Sequence, residues 1–262
     1  MAISNSSSKW LLAMLSCPRF FSGSHPGMGE GCDRPTKLLM EKSIMPALYE
    51  KYRPSTLDDV VGQAEAVNRV RFLQQRNGII GKAFWIKGPS ASGKTTLAKI
   101  MASSVTDDLA IEELDAQDLT LDKVREFSDK CRNRPLFGDC WAFVANEAHN
   151  LRSQVVSMLQ TVLEEEHVQR HGLWIFTTTD KGHKKLFDDK FDSSPFLSRA
   201  ITIELTLTPD KRIEYAQRLM AIAQAEGLDN GKGIVDFAHL MARCELNFRK
   251  AFGELESGCM FA

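Results

Sequence analysis

The chain has 262 residues, long enough for one large domain or two small ones, with the 43 % hydrophobic and 26 % charged content usual for a globular protein. Its formal net charge of −1 excludes a global basic field, so any contact with nucleic acid must come from local patches or from an assembly. No stretch approaches the roughly 18 apolar residues of a membrane span, and the six cysteines (17, 32, 131, 140, 244 and 259) lack the spacing of a zinc site or a disulfide framework and read as reduced cytosolic thiols.

The first 44 residues are Ser- and Gly-rich, contain no acidic residue before Glu30 and carry one short apolar run, WLLAML at 10–15. A secretory signal, an organelle transit peptide and a disordered extension upstream of a start at Met45 are the open readings. The apolar run is short for the first and arginine is scarce for the second, so the extension is favoured.

From Met45 the pattern changes. Tyr52-Arg53-Pro54 reads as extended or turn-like, because Pro54 disfavours helix at the residue before it. Ser55 or Thr56 caps a short turn that carries Asp58 and Asp59 and closes at VVGQ. Apolar residues at Ala66, Val67, Val70 and Leu73 then predict a helix over 64–77, ended by Gly78 and Gly81. A strand at 83–87 leads into GPSASGKT, which matches G-x-x-x-x-G-K-[ST], the P-loop. Gly88 and Gly93 let backbone N–H groups turn inward around phosphate oxygens across Pro89, Ser90, Ala91 and Ser92. Lys94 reaches the β- and γ-phosphates, Thr95 ligates Mg²⁺, and the helix over 95–105, beginning Thr95-Thr96, points its positive end at the same anion.

Further on, the pattern predicts strands at 111–116, 141–151, 173–180 and 200–205, with helices at 119–133 and 153–167 between them. This alternation implies an α/β fold with a parallel, doubly wound sheet whose strand ends converge on one edge. Three helices follow, at 209–226, 232–242 and 247–257. The domains are thus an extension (1–44), a nucleotide-binding α/β domain (45–208) and a helical lid (209–262).

In P-loop ATPases a second strand places an acidic residue in the Mg²⁺ shell and a glutamate beside it that polarises the attacking water. FVANEAH (143–149) occupies that place. Glu147 is the candidate base, while Asn146 stands where an aspartate is usual. An amide accepts a hydrogen bond from Mg²⁺-bound water but brings no charge, so weaker Mg²⁺ affinity and slower hydrolysis are expected. His149 reads as a helix-start or packing residue, since no second ligand stands at metal spacing.

These residues together resemble the AAA+ clamp-loader ATPases: the gamma/tau subunit of bacterial DNA polymerase III and the small subunits of replication factor C. YEKYRPSTLDDVVGQ is similar to the family's opening element, which implies that Tyr52, Arg53, Pro54, Val60 and Val61 pack around adenine. GPSASGKTT resembles its Walker A motif, and FVANEAH its Walker B motif with asparagine for aspartate. TTTD (177–180) resembles sensor 1, implying Thr178 or Thr179 near the γ-phosphate. FLSRA (196–200) resembles the Ser-Arg-Cys motif with alanine for cysteine, implying Arg199 as an arginine finger for a neighbouring subunit. LNFRKAF (246–252) resembles sensor 2, implying Arg249 over the phosphates. The resemblance spans about residues 46–257. It implies a five-stranded AAA+ sheet with a three-helix lid, ATP and Mg²⁺ as cofactors, other AAA+ subunits, DNA and a sliding clamp as partners, no membrane, and a cytoplasmic location. The zinc-binding cysteines of the bacterial subunits are absent. The chain ends at Ala262, where the family has a collar domain, which puts a stable five-membered ring in question. A poorly hydrolysing switch subunit of an assembly is the alternative function, and a small-molecule P-loop kinase leaves Arg199 and Arg249 unexplained.

Overall fold

The computed structural model describes residues 47–76, 78–179 and 194–258. The extension read at 1–44, the predicted element ends Asn77 and Asp180, and Cys259 lie outside the described residues. In chain order the elements are α1 (Leu48–Lys51), α2 (Ala64–Arg76), β1 (Ala83–Gly88), α3 (Lys94–Ser103), β2 (Ile111–Asp115), α4 (Leu121–Lys130) and β3 (Trp141–Asn146). They continue with α5 (Ser153–Val162), α6 (Glu166–His171), β4 (Gly172–Thr179), α7 (Ser194–Arg199), β5 (Ala200–Glu204), α8 (Arg212–Ala225), α9 (Ile234–Arg243) and α10 (Phe248–Glu256). The five strands pair in parallel in the order β2-β3-β4-β1-β5, so the P-loop strand β1 lies inside the sheet between β4 and β5.

Alternation along each inner strand sends two different sets of side chains to the two faces. Phe84, Ile86, Val144, Ile175 and Ile203 join Leu97 and Met101 of α3 in a largely aliphatic layer. Trp85, Phe143, Trp174 and Phe176 join Phe127 of α4 and Phe196 of α7 in an aromatic layer. There the rings stack and tilt: Phe127 on Phe143 at 4.3 Å, Phe143 on Trp174 at 4.7 Å, and Phe196 edge-on to Phe176 at 5.2 Å. Such pairs add about 0.5–1.5 kcal/mol each beyond the burial of their area.

The predicted helix over 153–167 is two helices. Leu163 and Val168 are both buried five residues apart, a spacing that one helix cannot keep on one face. The chain resets at Glu165, which is extended and caps α6 while its Oε2 accepts a 2.6 Å hydrogen bond from Ser128 Oγ. Two short helices, α1 and α7, were not anticipated, since neither is long enough to show a period. In α7, Pro195 stands in the first turn, where its missing N–H costs nothing, and Phe196 plugs the aromatic layer.

The C-terminal helices have their own core, in which Leu219, Phe237, Met241 and Phe252 pack with Leu48 of α1. Residues 47–63 link this cluster to the sheet. Gly62 has φ +75°, and a Cβ there would lie 2.3 Å from the Tyr215 ring, so the close approach of the VVGQ turn to α8 requires glycine. Gln63 completes the link, its amide donating to Thr206 O at 2.8 Å and accepting from Thr206 N at 3.2 Å.

Phe196 is fully buried and touches both Trp85 and Phe176 edge-on, so Phe196→Ala should lose about 3–5 kcal/mol of stability. Urea denaturation measures this, and a loss below about 1 kcal/mol would contradict the packing described.

Candidate functional site

The carboxyl end of β1 turns into the loop 88–93 and then into α3. Gly93 caps α3 with φ +95°, a left-handed conformation, and Ala91 is also left-handed at φ +59°. The Lys94 side chain is buried at 8 % exposure and folds over the loop, donating to Pro89 O at 2.7 Å and Gly88 O at 3.2 Å. Ser92 Oγ is buried in the same loop and finds no hydrogen-bond partner among the described residues. A buried hydroxyl of this kind is costly unless a ligand meets it. Together with the orphan N–H groups of a ten-residue helix and a buried ammonium, it fits a phosphate chain.

A cleft of about 230 Å³ opens over this loop. One wall is Ser90 to Thr96 with Glu147. A second comes from the N-terminal segment: Tyr49, Tyr52, Arg53, Pro54, Asp59, Val60 and Val61. The third belongs to the C-terminal helices, with Leu207, Tyr215, Arg218, Ile222, Phe248 and Arg249 among its residues. Apolar and aromatic groups at the segment and helix walls suit a flat base, and the loop end suits anionic groups. Tyr52 is held in place through its hydroxyl, which donates to Glu226 at the end of α8, and this bond holds the phenol above its usual range. Asp59 is held below the usual carboxylate range, first by the Thr56 hydroxyl and also by the charge of Arg218. The Arg249 guanidinium lies 5.3 Å from the Tyr49 ring centroid, a cation–π contact that joins two walls.

Asn146 closes β3 beside this cleft. Its Oδ1 accepts from Thr95 Oγ1 at 3.1 Å and from Thr177 Oγ1 at 2.9 Å. Thr95, having donated its proton to the amide, keeps oxygen lone pairs for a cation, so the pair fits a water-shelled Mg²⁺. The chain then reverses at Glu147, a non-glycine residue at φ +53°, a conformation that costs of order 1–2 kcal/mol. Its Oε2 lies 3.4 Å from His149 Nδ1, which is also 3.3 Å from Thr178 Oγ1. The imidazole therefore bridges the ends of β3 and β4.

The structure thus gathers the P-loop residues Ser90 to Thr96, the segment residues 52–54 and 60–61, Glu147 and Arg249 at one cleft. Gly88 and Pro89 lie just behind it, meeting Lys94 through their carbonyls. Thr178 and Thr179 are not among the cleft's lining residues. Thr178 is fully buried beside His149, and Thr179 pairs in register with Gly88. Arg199 stands apart at the end of α7. Its Nε and one terminal nitrogen meet Glu164 Oε1 at 2.7 and 2.6 Å, and the other donates to Pro195 O at 2.6 Å. Sequence reasoning missed Thr177, Tyr49, Asp59 and Arg218. Thr177 was findable, because it is two residues from Thr179 and shares its side of β4. Arg218 carried no local signal, since only the packing of α8 against the N-terminal segment brings it to the cleft.

No protein-family model matches the chain. Its sequence is 29 % identical over 159 residues to DNA polymerase III subunit gamma/tau of Mycobacterium tuberculosis, covering 51 % of this chain and 27 % of that protein. It is 28 % identical over 226 residues to the replication factor C small subunit of Aeropyrum pernix, covering 82 % of this chain and 63 % of that protein. The chain therefore spans about a quarter of the gamma/tau subunit and under two thirds of the replication factor C subunit. A mutant of Thermotoga maritima RuvB superposes with a TM-score of 0.56 over 78 % of this chain and 64 % of its own, at 20 % identity, a likeness of fold. These sequence likenesses are to subunits of the AAA+ clamp-loader ATPases, and the P-loop sheet and cleft described above agree with them.

Proposed function

We propose that the chain is an ATP-binding and ATP-hydrolysing subunit that works in DNA replication or repair, coupling turnover to remodelling of DNA or of a sliding clamp within an assembly of AAA+ subunits. The observation that carries this reading is the joining of Thr95 to Asn146 at 3.1 Å on the rim of a cleft that the P-loop, the N-terminal segment and the C-terminal helices all line. Residues 45–208 act as the nucleotide-binding domain and 209–262 as its lid, in the cytoplasm and without a membrane partner. ATP sits with its phosphates along Ser90 to Thr96 and its base between Val60, Val61 and the helix wall. Lys94 neutralises the phosphates, Arg249 approaches them from the lid, and Thr178 or Thr179 senses them from β4. Thr95 and Asn146 would hold Mg²⁺, Asn146 by way of a water. When bound, the ion neutralises charge that develops on the phosphates. Glu147 orients and polarises the attacking water, and Arg199 serves the site of a neighbouring subunit.

A second reading is favoured by Asn146 itself. A neutral amide at the strand end weakens the hold on Mg²⁺, which suits a slowly hydrolysing switch subunit that binds ATP to set its conformation. Turnover with and without primed DNA separates the two readings: stimulation by DNA supports the first, and binding without turnover supports the second.

Lys94→Ala should weaken ATP binding by about 2–5 kcal/mol, because a charge-assisted contact in a buried site is lost. Calorimetry reads this directly, and unchanged affinity would remove the phosphate assignment. Glu147→Gln should bind ATP as the native chain does and lose turnover. A Glu147→Gln protein that hydrolyses ATP at the native rate would exclude Glu147 as the water-polarising group.

Arg199→Ala should keep ATP affinity within about twofold of native and lower turnover of the assembly by about 10³–10⁵, the range for a finger supplied in trans. Mixing Arg199→Ala with Lys94→Ala chains should restore activity, since a mixed pair holds one intact loop facing one intact finger. Full activity of Arg199→Ala alone would show that each chain works by itself.

A further inference from the structure

The amide of Asn146 has a third partner that the nucleotide site does not explain. Its Nδ2 donates to Glu113 Oε1 at 2.8 Å, and the other oxygen of Glu113 meets Lys99 Nζ at 2.7 Å. Glu113 lies on the edge strand β2, and Lys99 lies on α3 one turn beyond Thr95. The contacts Thr95–Asn146–Glu113–Lys99 therefore form a closed ring that leaves α3, crosses β3 and β2, and returns to α3.

The ring decides which way the amide faces. A carboxylate can only accept, so the atom turned to Glu113 must be the NH₂ group, and the carbonyl oxygen must face Thr95 and Thr177. With that orientation both hydroxyls spend their protons on Oδ1, and the Thr95 oxygen keeps its lone pairs outward. With the reverse orientation the NH₂ would donate to Thr95, consuming a lone pair and presenting positive charge where a cation has to sit.

The ring also decides which residue the position accepts. Glu113 faces Asn146, Asp115 pairs in register with it, and Lys99 brings one positive charge. A carboxylate at position 146 would stand in hydrogen-bond reach of another with no proton between them, and like charges so placed destabilise each other. We propose that Glu113 is a positioning residue of the nucleotide–Mg²⁺ site, which turns the Asn146 carbonyl toward Thr95 and makes the site one built around asparagine at that position. This rests on the reading of the cleft as an ATP site. It follows that restoring the family's aspartate does not by itself improve the site.

The test uses the whole chain and the non-hydrolysable analogue AMP-PNP, titrated by calorimetry with Mg²⁺ and with EDTA. Glu113→Ala should bind the analogue in EDTA within about twofold of native and lose roughly tenfold of the Mg²⁺-dependent gain, the scale of one charge-assisted hydrogen bond. Glu113→Gln keeps one acceptor but adds an NH₂ that must face either Asn146 or Lys99, so it should recover part of that gain and no more. Without nucleotide, Asn146→Asp should lower the melting temperature, and Asn146→Asp with Glu113→Gln should restore it. A native Mg²⁺-dependent gain in Glu113→Ala, even with lowered stability, would reduce Glu113 to a structural role and overturn the proposal. An Asn146→Asp chain as stable as native, unimproved by Glu113→Gln, would overturn it as well and does not depend on any variant binding nucleotide. Failure of the native chain to bind the analogue would instead strike the ATP reading, and this proposal with it.

Discussion

The pairing of β1 with β4 on one side and β5 on the other is the constraint on which the rest of the molecule depends. It sets Gly88 abreast of Thr179 and Lys87 abreast of Glu204, so that the P-loop leaves the sheet level with its neighbours' ends. The register cannot slip by one residue. A slip would turn Trp85 into the aliphatic layer and Ile86 into the aromatic one, and neither layer has room for the exchange. Rigid placement of the phosphate loop is thus a consequence of packing on both faces of a buried parallel strand.

What surrounds the cleft is held in another way. The segment 47–63 is tied to the C-terminal helices by polar contacts of long sequence separation. Gly62 N donates to Glu214 at 3.0 Å, Leu48 N to Glu256 at 2.8 Å, and Lys51 Nζ and the Tyr52 hydroxyl share Glu226. Several of these carboxylates are partly exposed, so each contact is worth little by itself. The apolar cluster around Leu219 and Phe252 takes in Leu48 but no strand residue, whereas Leu57 and Gln63 of the same segment meet the sheet side. The cleft therefore has one wall fixed in the sheet and two walls joined to each other, with the N-terminal segment connecting all three.

Much of the fold was legible because the signals were local. The five strands, the P-loop with its following helix and the three C-terminal helices all followed from period and punctuation within short windows. The breaks came where the period failed. Leu163 and Val168 do not share a helical face, and α1 and α7 are too short to show one. Arg199 could be placed just before β5 from its motif, but its pairing with Glu164, 35 residues earlier, has no trace in either sequence neighbourhood.

The sequence by itself determined that a phosphate-binding loop opens a helix after a buried strand, and that Asn146 and Glu147 end another strand of the same sheet. Those are properties of residue type and spacing, which glycine conformation, alternation and capping translate into local geometry without help from distant residues. Only the tertiary structure decided which partners these groups have. That Thr177 rather than Thr178 meets Asn146 depends on which face of β4 lies over α3. That Arg218 and Tyr49 reach the cleft depends on how α8 and the N-terminal segment pack. That Glu113 orients the Asn146 amide depends on β2 lying beside β3, with Lys99 one turn along α3 to hold it. Each is a contact between residues remote in the chain, selected by the pairing order of the strands, and strand order is a property of the whole core rather than of any segment within it.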